Sequence, residues 1–189
     1  VFGGAGNDGI AGGAGADDLR GEDGNDILNG DDGNDNLDGG NGQDNLYGGA
    51  GDDTVSGGAG VDNVIGGSGS DTLNGGDGED ILAPDVYNGG LLAVAASYSD
   101  DGATDTIDGG AGYDMAILRF DNTTSSITAD LSNPNVTATI NGTSLVNVEQ
   151  YQIVLGSGDD SVTLGAGLDL VFGGAGNDGI AGGAGADDL

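Results

Sequence analysis

A nine-residue period dominates this chain. From Gly3 to Ala83 the sequence divides without a gap into nine nonapeptides, the first reading GGAGNDGIA. With positions numbered 1 to 9 in each phrase, Gly fills positions 1 and 4 in all nine and position 2 in seven, Glu22 and Asp31 being the exceptions. Position 6 is Asp throughout: Asp8, Asp17, Asp26, Asp35, Asp44, Asp53, Asp62, Asp71 and Asp80. Position 8 is always aliphatic, from Ile10 to Leu82. A short fixed period marks a repeat architecture, in which each unit buries its apolar residue only against stacked neighbours. A flexible Gly/Asp linker would share the composition but not the phase.

The phase breaks and returns. Residues 84–99, PDVYNGGLLAVAASYS, interrupt it with Pro84 and a short apolar run, and read as an inserted loop or bulged coil packed on the roll. Residues 100–117 hold an eroded copy with Asp105 and a regular one, GGAGYDMAI, with Asp114. Residues 118–154 differ in kind: Thr, Val, Ile and Ser dominate, and alternation appears in VTATI and SLVNVEQYQIV. Residues 155–189 resume the phrase, with Asp160, Asp169, Asp178 and Asp187 at position 6. Residues 171–189 repeat residues 1–19 letter for letter, including the variable Ala5, Asn7, Ala11, Ala16 and Asp18. That identity predicts a tandem array with a 170-residue period, residues 171–189 belonging to the next unit.

Such glycine spacing has a chemical purpose. Glycines at positions 1, 2 and 4 permit positive φ, so the backbone can curl until its carbonyls converge. The candidate carbonyl donors are Gly4, Gly6, Gly13, Gly15, Gly24, Gly33, Gly40, Gly42, Gly49, Gly51, Gly58, Gly60, Gly67, Gly69, Gly76, Gly78, Gly174 and Gly176. The Asp at position 6 adds a carboxylate to them. An all-oxygen set of this kind suits Ca2+, which takes six to eight ligands at about 2.3–2.6 Å. The chain has no His and no Cys, the donors zinc and copper prefer. An EF-hand is excluded, because Glu22, Glu79 and Glu149 are the only glutamates and none ends such a loop.

Net charge agrees. A formal charge of −31 with only two basic side chains repels nucleic acid and anionic membranes and attracts cations. The longest apolar run, Leu91 to Ala96, is far too short to cross a bilayer. Without His, Cys or Lys there is no triad and no thiol nucleophile, so catalysis is not expected.

Positions 7 to 9 predict a very short strand with the position-8 side chain inward. Two phrases then make one coil of 18 residues, and stacked coils make two parallel sheets around a thin aliphatic core. Asp rows stacked at roughly 4.8 Å repel strongly when bare. The metal-free chain is therefore expected to be disordered, with folding and metal binding a single event.

In these residues the chain resembles the RTX family, the calcium-binding nonapeptides of secreted bacterial toxins, proteases, lipases and adhesins. The resemblance implies an all-β fold, a right-handed parallel β-roll or β-solenoid, with each Ca2+ between turn n and turn n+2. It implies that the Asp residues of both turns, with carbonyls near positions 1 to 4, are the ligands. On that scheme the long block 1–83 holds seven sites and the block 155–189 two more. Segments ending in NVE before a new block resemble metal-free rungs of secreted RTX enzymes, so 118–154 is expected to continue the solenoid without calcium. Two functions follow as expectations. One is an extracellular structural repeat of a large adhesin, surface-layer or fibre protein, whose copies stack end to end. The other is a folding and secretion module of a secreted enzyme or toxin.

Overall fold

The computed structural model describes residues 1–85, 104–120 and 123–189. The inserted segment of 84–99 thus lies largely outside the described residues, which form strands and no helix.

The long block supplies β1 (Phe2–Ala5), β2 (Gly9–Ala14), β3 (Asp18–Asp23), β4 (Ile27–Asp32), β5 (Asn36–Asn41), β6 (Asn45–Ala50), β7 (Thr54–Ala59), β8 (Asn63–Ser68), β9 (Thr72–Gly78) and β10 (Ile81–Asp85). The short block supplies β11 (Thr106–Gly112) and β12 (Met115–Arg119). After it come β13 (Thr128–Asp130), β14 (Ala138–Ile140), β15 (Thr143–Val146) and β16 (Gln150–Val154). The last block carries β17 (Ser161–Thr163), β18 (Leu170–Phe172) and β19 (Gly179–Ala181).

Strands alternate between two sheets, as two phrases per coil require. One sheet runs β1-β3-β5-β7-β9-β11-β15-β14 and the other β18-β16-β12-β10-β8-β6-β4-β2. Within the roll the pairing is parallel and the register matches position to position, for example Leu19↔Leu37↔Val55↔Leu73. The position-8 residues form the core: Leu19, Leu28, Leu37, Leu46, Val64 and Leu82 are 0–1 % exposed. The fold is the parallel β-roll expected from the period.

Two local expectations are corrected. Strands are about twice as long as expected, since most span positions 7 to 9 and positions 1 to 3 of the next phrase, as in Gly9–Ala14. They can be, because position 1 faces inward on the same side as position 8 and is buried, while positions 7 and 9 face out. The second correction concerns position 1 itself. Positive φ occurs at positions 2 and 4 but not at position 1 of these phrases. Glycine is needed there for space: a Cβ on Gly39 would lie 2.5 Å from Asp44 Oδ2 and 2.5 Å from the Gly57 carbonyl oxygen. Positive φ is so firmly imposed at position 2 that Glu22 and Asp31 adopt it too, at 76° and 73°.

The insertion does not interrupt the stack. β11 pairs directly with β9, Thr106↔Thr72 through Gly112↔Gly78, and β12 pairs with β10. Segment 118–154 continues one sheet and ends the other. β16 joins β12, but β15 is followed outward by β14, which pairs with it antiparallel through the two-residue turn Asn141-Gly142. Both turn residues have positive φ, 47° and 99°, as a primed hairpin turn requires. A new parallel sheet, β13-β17-β19, then takes over.

Candidate metal centre

Every turn of the roll delivers the position-6 Asp to the start of a strand, directly over its counterpart one coil away. One carboxylate oxygen of each is fixed by the backbone. The Asp8 N–H donates to Asp26 Oδ1 at 2.7 Å, and Asp26, Asp44 and Asp62 repeat the bond upward at 2.8 Å each. The second row does the same from Asp17 through Asp35 and Asp53 to Asp71. Both rows cross the insertion: the Asp71 N–H donates to Asp105 Oδ1 and the Asp80 N–H to Asp114 Oδ1, each at 2.9 Å. In the last block the Asp160 N–H reaches Asp178 and the Asp169 N–H reaches Asp187. The structure therefore stacks all fifteen expected Asp residues, and it adds two stacked pairs that counting within blocks does not give.

The other oxygen is left buried. Oδ2 of Asp8, Asp26, Asp35, Asp44, Asp53, Asp62, Asp80, Asp114, Asp160 and Asp169 is shielded from solvent and makes no hydrogen bond. Asp26 and Asp114 are 0 % exposed, whereas Asp8, Asp17, Asp178 and Asp187 are half-buried at the ends of the rows. A buried ionised oxygen with no partner is strongly unfavourable, and such groups are paired or bind metal. Neighbouring charges in a row add about 3–4 kcal/mol of repulsion at a separation of about 4.8 Å and an effective dielectric of about 20. Burial accordingly pushes the Asp53, Asp62 and Asp114 carboxyls up to about 6, partly opposed by the N–H each accepts and reinforced by neighbouring Asp charges. Asp44, Asp80 and Asp169 are raised for the same leading reason.

From Asp8 to Asp80, and again at Asp114, Oδ2 lies close to a backbone carbonyl. The position that a Cβ on Gly3, Gly12, Gly39 or Gly57 would occupy is approached by Oδ2 of the same phrase and by the position-1 carbonyl one coil on. The corresponding carbonyls belong to Gly21, Gly30, Gly39, Gly48, Gly57, Gly66, Gly75 and Gly109, with Pro84 in the same role above Asp71. These are candidate donors that the sequence reading covered only as carbonyls near positions 1 to 4 and did not name by residue, although the invariance of position 1 was the signal for them. The expected donors are arranged differently. All eighteen expected glycines hold positive φ. The carbonyls of Gly6, Gly15, Gly24, Gly33, Gly42, Gly51, Gly60 and Gly78 point along the stack toward the next position-4 glycine, and those of Gly40, Gly49, Gly58 and Gly76 toward the next position-2 glycine. Among the described residues no three acidic side chains gather at one point, so a cation held here needs backbone oxygens. Carboxylate and carbonyl oxygens without nitrogen or sulfur fit calcium.

Fold and site together define a calcium-binding β-roll of nonapeptide repeats. The family model for the RTX calcium-binding nonapeptide repeat matches residues 2–37, 20–55, 29–64, 56–86 and 155–189, and the chain belongs to that family. No curated protein matches the chain.

Proposed function

We propose that this chain is a calcium-folded spacer: an extracellular RTX β-solenoid serving as a structural repeat of a large secreted adhesin, surface-layer or fibre protein. The observation that carries the reading is the row of buried Asp oxygens from Asp8 through Asp26, Asp44, Asp62 and Asp80 to Asp114, each without a hydrogen-bond partner and beside a backbone carbonyl. Bound calcium would supply the positive charge that these rows require. The Asp residues at position 6, from Asp8 to Asp187, and the carbonyls around positions 1, 2 and 4 would hold it, one ion per stacked pair. Nothing in this arrangement calls for catalysis.

A spacer role, rather than a folding module beside an enzyme, is supported by the repeat of residues 1–19 at 171–189, which keeps the nonapeptide phase. Gly9-Ile10-Ala11 of β2 recurs as β19, and Val1-Phe2 recurs as Val171-Phe172 of β18, and copies of the chain are proposed to meet at these segments. Secretion fits as well: a chain unfolded in calcium-poor cytosol would fold on reaching extracellular calcium, where such modules bind at about 10⁻⁴–10⁻³ M.

The test is far-UV circular dichroism of the full chain, first in excess chelator and then through a calcium titration. A disordered spectrum should convert to a β spectrum near millimolar calcium. A fully folded spectrum in chelator at neutral pH would refute the coupling between metal and fold.

A further inference from the structure

We propose a cation site at the junction where the nonapeptides stop, formed by Asp114, Glu149 and the main-chain oxygen of Asn147; it rests on the calcium reading above. Asn147 and Glu149 belong to 118–154, the segment expected to be metal-free.

The argument is one of substitution, part for part. β12 pairs with β16 in the register Met115↔Gln150, which sets Glu149 over Asp114 as Asp114 is set over Asp80. In each earlier coil the Asp N–H donates to Oδ1 of the next Asp. Here the Asp114 N–H donates to Glu149 Oε2 at 3.0 Å. In earlier coils the space beside the position-1 glycine is closed by Oδ2 of its phrase and by the next position-1 carbonyl. Beside Gly109 it is closed by Asp114 Oδ2, 2.9 Å from where a Cβ would sit, and by the Asn147 carbonyl. The spacing along the chain differs, and the side chains compensate. A position-1 glycine stands five residues before its Asp, as Gly109 does before Asp114, but Asn147 stands only two before Glu149. Glutamate's extra methylene spans the altered path. Asn147 is held in the left-handed region, φ 54°, with its Nδ2 donating to Asp108 Oδ1 at 2.8 Å.

The companion row supplies the contrast. It also ends at this junction, at Asp105, but there the Thr143 hydroxyl donates to Asp105 Oδ2 at 3.4 Å. That carboxylate meets a neutral hydroxyl. Asp114 is 0 % exposed, its Oδ2 has no hydrogen-bond partner, and the side chain above it is a second carboxylate. Two facing carboxylates, a buried free oxygen and a carbonyl recreate the donor set of the regular turns. The ligand that satisfies them is a hard divalent cation of the same kind.

Native mass spectrometry of the full chain across a calcium titration counts ions per folded molecule. The proteins to compare are the wild type, Glu149→Gln and Glu79→Gln. Glutamine keeps an oxygen for the Asp114 N–H but removes the charge, and Glu79 is an exposed position-5 control. Glu149→Gln should saturate with one ion fewer, or take its last ion roughly tenfold more weakly, as loss of a metal-site partner commonly does. Glu79→Gln should match the wild type. Identical counts and curves for wild type and Glu149→Gln would overturn the junction site while leaving the regular sites intact. A wild type that binds no calcium would overturn both readings. If Glu149→Gln does not fold, Glu149→Asp decides: its shorter arm should lose the same ion, and an unchanged count overturns the proposal.

Discussion

Asp44 occupies the middle of its row, accepting the Asp26 N–H through Oδ1 and donating its own N–H to Asp62, with Oδ2 buried and free. Asp44→Ala removes a proposed ligand from the proposed sites above and below and leaves the Asp26 N–H unsatisfied, a loss of about 1–3 kcal/mol before any metal is counted. Its calcium midpoint for folding should rise about tenfold or more. Asp18 sits next to a row residue in sequence, yet it is exposed, and its carboxylate meets Arg20 at 3.3 Å and the Asn36 Nδ2 at 3.4 Å. An exposed pair contributes roughly 0–1 kcal/mol, so Asp18→Ala should barely move the midpoint. Equal shifts by calcium-titrated circular dichroism would contradict the assigned phase. The buried carboxylates also set a pH dependence. Their folded values near 6 lie above the ordinary 3.8, so protonation favours the metal-free roll at low pH. That contribution is complete below the ordinary value and is lost as pH rises through about 6. In chelator the chain should therefore show more β signal at about pH 5 than at about pH 8; the reverse order would rule out burial as the dominant influence. The Asp rows were readable from phase alone, since a fixed position in a stacked repeat has a fixed neighbour. The reason for glycine at position 1 was not, because backbone freedom and crowding demand the same residue and only the packed coils show that crowding is the cause.

At the level of the strands, longer pairing than expected changes which glycines matter. Gly39→Ala places a methyl against Asp44 Oδ2 and the Gly57 carbonyl, a collision of the sort that costs about 1–3 kcal/mol. Gly9, also on a strand but facing outward, has nothing within 4 Å of an added Cβ and no positive φ. Gly39→Ala should shift the calcium midpoint about tenfold and Gly9→Ala less than about twofold, measured in the same titration; equal shifts would show that the cradle is not a binding element. The stack of strands in 1–83 followed from the period. The ending of one sheet at β14 did not, although Asn141-Gly142 between the alternating segments Ala138–Ile140 and Thr143–Val146 is a strong hairpin signal. Alternation in VTATI and SLV revealed strands but not their direction, because period-2 patterning is the same for parallel and antiparallel neighbours.

Along the stack, β1 and β2 lie outermost on one side, and on the other Asp188 bridges onto Leu170 of β18 while β19 is the outer strand of its sheet. Unpaired strand edges are templates for further pairing, and the residues of β18 and β19 recur as Val1-Phe2 and Gly9-Ile10-Ala11. A head-to-tail contact between such ends does not close, so it propagates. Light scattering should show linear, calcium-dependent association that chelator reverses; monodisperse single chains at high concentration in calcium would exclude it. The recurrence of residues 1–19 at 171–189 was legible in the sequence, whereas the switch of sheets after 118 was not, since it depends on contacts between segments far apart in sequence. Near-identical phrases also carry a hazard. A strand displaced by one whole coil would meet almost the same partners, so the long block by itself has little means of counting its turns. The β14–β15 hairpin and the Glu149 junction have no duplicate among the described residues. They act as a zero mark, from which a chain that otherwise reads the same at every step can tell where it is.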